Sequence, residues 1–119
     1  MLDDEQRIAA YKGYLAAFNE KSLSKIKEYL SPDCVVVYNG KVNNYEWMIP
    51  TYPAHWEREP SPIELREIRP IKDGVWVMLR NVDKCYDLEV EYYYNEEGLQ
   101  IKHDIKPAIY YDKGESART

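Results

Sequence analysis

The chain reads as an α+β domain, and three observations predict it. Ile8, Tyr11, Leu15 and Phe18 recur at helical spacing near the start, with Tyr14 at the edge of their stripe. The β-branched run DCVVVYNG then closes on Asn39-Gly40, as a strand and its turn do. From Ile63 onward, runs of alternating character are broken by Asp73-Gly74 and by Asn95-Glu96-Glu97-Gly98, which reads as antiparallel sheet.

Each element has a local cause. Asp3 caps the first helix, with Gln6 three residues later as in a capping box. Asn19-Glu20-Lys21 breaks that helix, and Ser22 caps a short second one bearing Leu23, Ile26 and Leu30, which must stop near Ser31-Pro32. Asn43 or Asn44 starts a third helix carrying Tyr45, Trp47 and Met48. The segment after it, TYPAHWEREPSP, is punctuated by proline and reads as a loop.

The last hairpin tests the position of His103, which LQIKHDIKP sets beside Asp104. Neighbours on a strand point to opposite faces, so the two are not a dyad. A four-residue loop pairs Tyr94 with Leu99, Tyr92 with Ile101, Val90 with His103 and Leu88 with Ile105 on an apolar face. Gln100, Lys102 and Asp104 then face Tyr93, Glu91 and Glu89 on a charged one. In the Asp73-Gly74 hairpin, Ile68, Pro70, Val75, Val77 and Leu79 share one face, and Ile71, Trp76 and Met78 the other, with Glu67 opposite Arg80. A strand apolar on both sides calls for a second layer, and a homodimer is the economical one.

Composition narrows the function. The 119 residues fit a single domain, 1–119, with net charge -5, which argues against nucleic acid or an anionic membrane as partner. No apolar run is long enough to span a bilayer, and MLDDEQR reads as the start of a helix, so a cytoplasmic protein is expected. Two cysteines, Cys34 and Cys85, leave room for at most one disulfide. Tyrosine occurs 12 times against one phenylalanine, which suits a partly wet cavity or an interface. No glycine-rich phosphate loop or metal-ligand spacing is present, so no cofactor and no metal are expected; Lys106 expected opposite Asp87 and Lys102 opposite Glu91, both diagonal to Glu89, mark a solvated face.

The pieces YLAAFNEKSLSKIKEYLSPDCVVVYNG and EVEYYYNEEGLQIKHD resemble the nuclear transport factor 2-like superfamily, within it the SnoaL-like polyketide cyclases and ketosteroid isomerases. The resemblance implies a cone: a strongly curved antiparallel (cystatin-like) sheet wrapped around N-terminal helices, with a pocket inside. Its members include isomerases, dehydratases, cyclases and non-catalytic binding or dimerisation modules, so the fold does not choose an activity. Tyr14 matches the tyrosine that ketosteroid isomerases aim at the oxyanion, whereas Tyr38 stands where they carry the base. Asn19 replaces the aspartate of scytalone-dehydratase-like enzymes, and PIELREIRP lacks their strand histidine.

Two functions follow as expectations. The first is cofactor-free acid–base catalysis (isomerisation, dehydration or cyclisation) on a small hydrophobic or aromatic oxygenated substrate of polyketide or terpenoid type. His103, or else His55 delivered by the proline-rich loop, would move the proton, the ordinary histidine pKa lying near neutrality, while Tyr14 and Tyr38 hold the substrate oxygen. Tyr92, Trp47, Phe18, and His55 with Trp56 on the proline-rich loop, would line the site. The second is a non-catalytic module of the same fold, in which His103 is a cavity-wall residue satisfied by a tyrosine or water.

Overall fold

The computed structural model describes residues 2–111, so the expected domain of 1–119 extends a little beyond the described residues. Helix α1, Asp4–Asn19, starts on the expected capping box: the Gln6 amide donates to Asp3, and the Gln6 side chain accepts from the Asp3 amide. Its buried face is Arg7, Tyr11, Tyr14 and Ala17, which moves Tyr14 from the edge of the apolar stripe to its middle. Ser22 caps α2, Leu23–Lys27. Strand β1, Leu30–Tyr38, turns through Asn39 and Gly40, both at positive φ, into β2, Lys41–Asn43.

Asn44 caps α3, Tyr45–Met48, and α4, Thr51–Arg58, follows directly. Strands β3, Glu64–Ile71, β4, Gly74–Asn81, β5, Tyr86–Tyr94, β6, Gln100–Ile105, and β7, Ile109–Tyr110, complete the chain. Among the described residues the strands form one curved, open sheet in the order β2-β1-β6-β5-β4-β3, with β7 on β5. The sheet is mixed rather than wholly antiparallel, because β1 runs parallel to β6. The helices cover its inner face, and no described helix is long and apolar enough to cross a membrane.

Four local expectations are corrected. TYPAHWEREPSP is not a loop over its length, since Thr51–Arg58 is helical. Pro53 falls in the first turn, where an amide has no partner within the helix, so it is compatible with a helix start. Leu30 opens β1 instead of closing α2, and Pro32 is accommodated where the β1–β6 register shifts. The first long hairpin pairs Ile71 with Gly74, so its turn residues are Lys72 and Asp73, and Glu67 faces Met78 while Arg80 lies between Glu64 and Asp87. In the second, Tyr92 faces His103 and Val90 faces Ile105, a shift of two residues that preserves the faces.

That hairpin also holds a bulge. Tyr94 pairs with Gln100 but Tyr93 pairs with Lys102, leaving Ile101 as the extra residue. Gln100 is thereby turned from the charged face to full burial, while Ile101 is only half-buried. His103 faces inward as expected, and Asp104 faces outward onto Lys106 at 3.1 Å. The acidic row is taken up differently from the expected lysine ladder: Asp87 by Arg80, Glu89 by the Trp76 indole, and Glu91 by the Tyr93 hydroxyl. Cys34 and Cys85 are both free thiols.

Gly74 lies close against β5, since a Cβ on it would overlap the Tyr92 carbonyl oxygen. Gly74→Ala is therefore expected to destabilise the fold by about 1–3 kcal/mol, the range for overpacking. A urea denaturation midpoint equal to that of the parent protein would contradict this packing.

Candidate active site

The concave side of the sheet and helices α1, α3 and α4 enclose a cavity of about 720 Å³, within the range of small-molecule sites. Its floor is aromatic. Tyr11 and Tyr14, one helical turn apart on α1, face Tyr92 of β5 at ring-centroid distances of 4.7 and 5.7 Å. The His103 ring of β6 packs on Tyr92 at 4.6 Å and on Tyr14 at 5.9 Å. The expected residues Tyr14, Tyr92 and His103 thus meet in one wall.

The hydroxyl of Tyr14 shares a 2.8 Å hydrogen bond with that of Tyr52 on α4, both buried. Burial raises the pKa of both phenols, so each stays protonated at neutral pH. One hydroxyl donates to the other, and the second keeps a proton for an oxygen in the cavity. The Tyr11 hydroxyl is buried beside that of Tyr92, and burial raises the pKa of both.

His103 is tied from behind. Its Nε2 lies 2.6 Å from the Gln100 carbonyl oxygen, and the Gln100 amide nitrogen donates to the Tyr94 hydroxyl at 3.1 Å. The carbonyl can only accept, so Nε2 carries the proton and Nδ1 the lone pair. Full burial, with no carboxylate to hold a charge, pushes the His103 pKa down to about 3. This corrects the expectation of a base poised near neutrality: His103 is a neutral hydrogen-bonding group over the working range. Tyr38 and Trp47 line the cavity while staying largely exposed, at 44% and 46%, which puts them at its rim rather than beside Tyr14.

The other end of the cavity is polar. Because Thr51–Arg58 is helical, His55 and Trp56 are held on α4 rather than on a flap. Phe18 packs against both, at 5.1 and 5.8 Å between rings, and lines the cavity with His55. Nδ1 of His55 lies 3.1 Å from the carboxylate of Glu59, one turn further on. Glu59 is itself buried and accepts from Asn81 at 3.1 Å, with the Tyr86 hydroxyl at 3.5 Å. Tyr52, Glu59, Asn81, Tyr86 and Gln100 were absent from the sequence-based site. The i, i+4 spacing of His55 and Glu59 is the one signal that would have found part of it, once α4 is read as a helix. Asn19 is structural: its side-chain amide brackets the backbone of Ile63. No group of His, Cys, Asp and Glu among the described residues is arranged to hold a metal.

No family model matches the chain, and no curated protein matches it in sequence. Solved structures do match in shape. A SnoaL-like protein of unknown function from Burkholderia thailandensis superposes with a TM-score of 0.78, at 10% identity over 89% of this chain and 98% of that one. AclR, a candidate hydroxylase from Streptomyces galilaeus, gives 0.76 at 18% identity over 87% and 79%. A candidate polyketide cyclase from Sinorhizobium meliloti gives 0.71 at 15% identity over 88% and 100%. The chain shares its fold with these SnoaL-like and cystatin-fold structures.

The depressed pKa of His103 has a signed consequence. The unfolded histidine binds a proton below about 6.5, whereas the folded one does so only near 3. The folded state therefore loses stability as pH falls from about 6.5, at up to roughly 1.4 kcal/mol per pH unit from this group. His103→Gln is expected to flatten the dependence of unfolding free energy on pH between 4 and 6. Equal slopes in both proteins would show that His103 titrates normally.

Proposed function

We propose that the protein binds a small hydrophobic, oxygenated molecule in this cavity and catalyses proton transfer on it without a cofactor, as an isomerase, dehydratase or cyclase does. The observation that carries this reading is the Tyr14–Tyr52 hydroxyl pair, buried in the wall of an aromatic cavity beside the neutral His103. A protonated, desolvated hydroxyl already aimed at a fixed partner stabilises a developing enolate oxygen better than water does. Tyr92 and Phe18 supply flat apolar surface for a ring system, with Trp47 and Tyr38 at the rim. The likeness to a candidate polyketide cyclase supports this substrate class at the level of fold.

One observation favours the second reading, ligand binding without turnover: His103, the residue first expected to be the base, is held uncharged by burial. Native mass spectrometry of the purified protein, against a panel of aromatic and alicyclic ketones, tests the binding that both readings require. On the first ketone found to be turned over, Tyr14→Phe is expected to lower kcat by roughly a hundredfold with little change in KM. Unaltered kcat would remove Tyr14 from the mechanism.

The reading includes a homodimer through the outer face of β3 and β4. Trp76 is only half-buried there, with the Arg69 guanidinium 4.6 Å above its ring and its indole bonded to Glu89. Sedimentation of Trp76→Glu is expected to shift toward monomer. A parent protein already monomeric at micromolar concentration would remove the dimer.

A further inference from the structure

The cavity has two histidines, and they differ in the one respect that matters to a base. His103 faces an amide, whereas His55 faces a carboxylate. Glu59 can only accept, so its carboxylate oxygen 3.1 Å from His55 Nδ1 favours the proton on Nδ1 and the lone pair on Nε2. Nε2 is buried and has no hydrogen-bond partner among the described residues, although His55 lines the cavity. A buried ring nitrogen without a protein partner is a standing cost unless something else occupies it.

Glu59 is built to hold that ring. It is 7% exposed, and its second oxygen is held by Asn81, which is 3% exposed and also bonds the Tyr86 hydroxyl at 3.2 Å. Asn81 is fixed in turn by the backbone amide of Lys84 on its side-chain oxygen. Carboxylate, imidazole and an open nitrogen in a cavity wall form the base-and-orienter pair of acid–base sites.

We propose that His55 is the general base of the cavity and Glu59 its positioning residue, acting on a carbonyl compound with an acidic hydrogen on the neighbouring carbon. This rests on the proton-transfer reading above and names its missing base. Nε2 takes the proton from that carbon, and the C–H electrons become an enolate whose oxygen accepts from a cavity hydroxyl. The imidazolium, stabilised by Glu59, then returns the proton to another carbon or to a departing hydroxyl, which leaves as water. The ring ends neutral, and no oxidant, reductant or metal is consumed.

The charges that face His55 come from several elements. Arg58 ends α4 and Glu59 is its C-cap, Asp83 lies on the turn after β4, and Tyr86 reaches Glu59 from β5; Phe18 of α1 covers the ring with apolar surface. Burial lowers the His55 pKa and Arg58 lowers it further, while Glu59 and Asp83 oppose them.

The dyad can be read without a ligand, by nitrogen NMR of the two histidines in the intact protein. His55 is expected as the Nδ1–H tautomer, and its titration midpoint should fall by about one unit or more in Glu59→Gln, which removes the charge that favours imidazolium. An Nε2–H tautomer in the parent protein, a result that needs no variant to fold, overturns the assignment. So does an unmoved midpoint. The proton step is then read with 2-tetralone in heavy water, following deuterium incorporation beside its carbonyl. Acceleration above buffer that falls roughly a hundredfold or more in His55→Gln supports the base. Retention of the parent rate in His55→Gln overturns it, as does tight binding of 2-tetralone with exchange no faster than in buffer. Failure of every ketone to bind would instead overturn the cavity reading, leaving the tautomer result to stand by itself.

Discussion

A curved sheet that leaves a cavity must do something with every polar side chain it turns inward, and here the solution is a chain of mutual hydrogen bonds. Gln100 is its middle link, completely buried, with its carbonyl on His103 and its amide on the Tyr94 hydroxyl. The link exists only because Ile101 bulges out of the β5–β6 ladder. In a regular ladder Gln100 would face the charged side, and the Nε2 proton of His103 would lose this acceptor inside a desolvated wall. A buried group left unsatisfied costs about 1–3 kcal/mol, a large share of the stability of a small domain. The bulge thus sets the tautomer of His103, and through it the chemical character of one end of the cavity.

The opposite end shows how far the same side chain can be driven by its neighbours. His103 is enclosed by tyrosine rings and an amide, so protonation would bury a charge with no counterion. His55 is less buried and has Glu59 3.1 Å from its ring, so Glu59 offsets part of the burial that lowers its pKa. One histidine donates to an amide, and the other keeps a carboxylate beside its ring. Between them lie Tyr14, Tyr52 and Phe18, where a flat molecule would be in reach of both ends.

The outer face follows a different economy. Arg80 pairs with Asp87 through two contacts, at 2.7 and 3.0 Å, and Arg69 covers Trp76. Lys102 approaches the Tyr93 ring and Lys106 reaches Asp104, so the like-charged neighbours Glu91 and Asp104 are flanked by cations and hydroxyls. Screened pairs of this kind contribute little individually to stability. Their effect is on register: they keep the polar face out and the apolar one in.

Much of the architecture was legible in short stretches of sequence because its causes are local. Asp3 with Gln6, Ser22 and Asn44 mark helix starts, Asn39-Gly40 marks a turn, and the alternation from Ile63 onward marks strands with a definite inward face. His103 inward and Asp104 outward followed from parity alone, and parity survived a two-residue shift in register. The sequence by itself therefore determined the α+β order, the faces of the strands and the aromatic content of the cavity. Tertiary structure decided the rest. Whether Pro53 starts a helix or interrupts one depends on the packing of α4 over Phe18, and His55 and Glu59 become neighbours only in the helical case. Whether Gln100 is inside depends on a bulge that no composition reports, and the basicity of each histidine depends on a partner brought by another turn or strand. Spacing along the chain sets which side a residue is on; three-dimensional contact sets what that residue is charged by, bonded to and able to do.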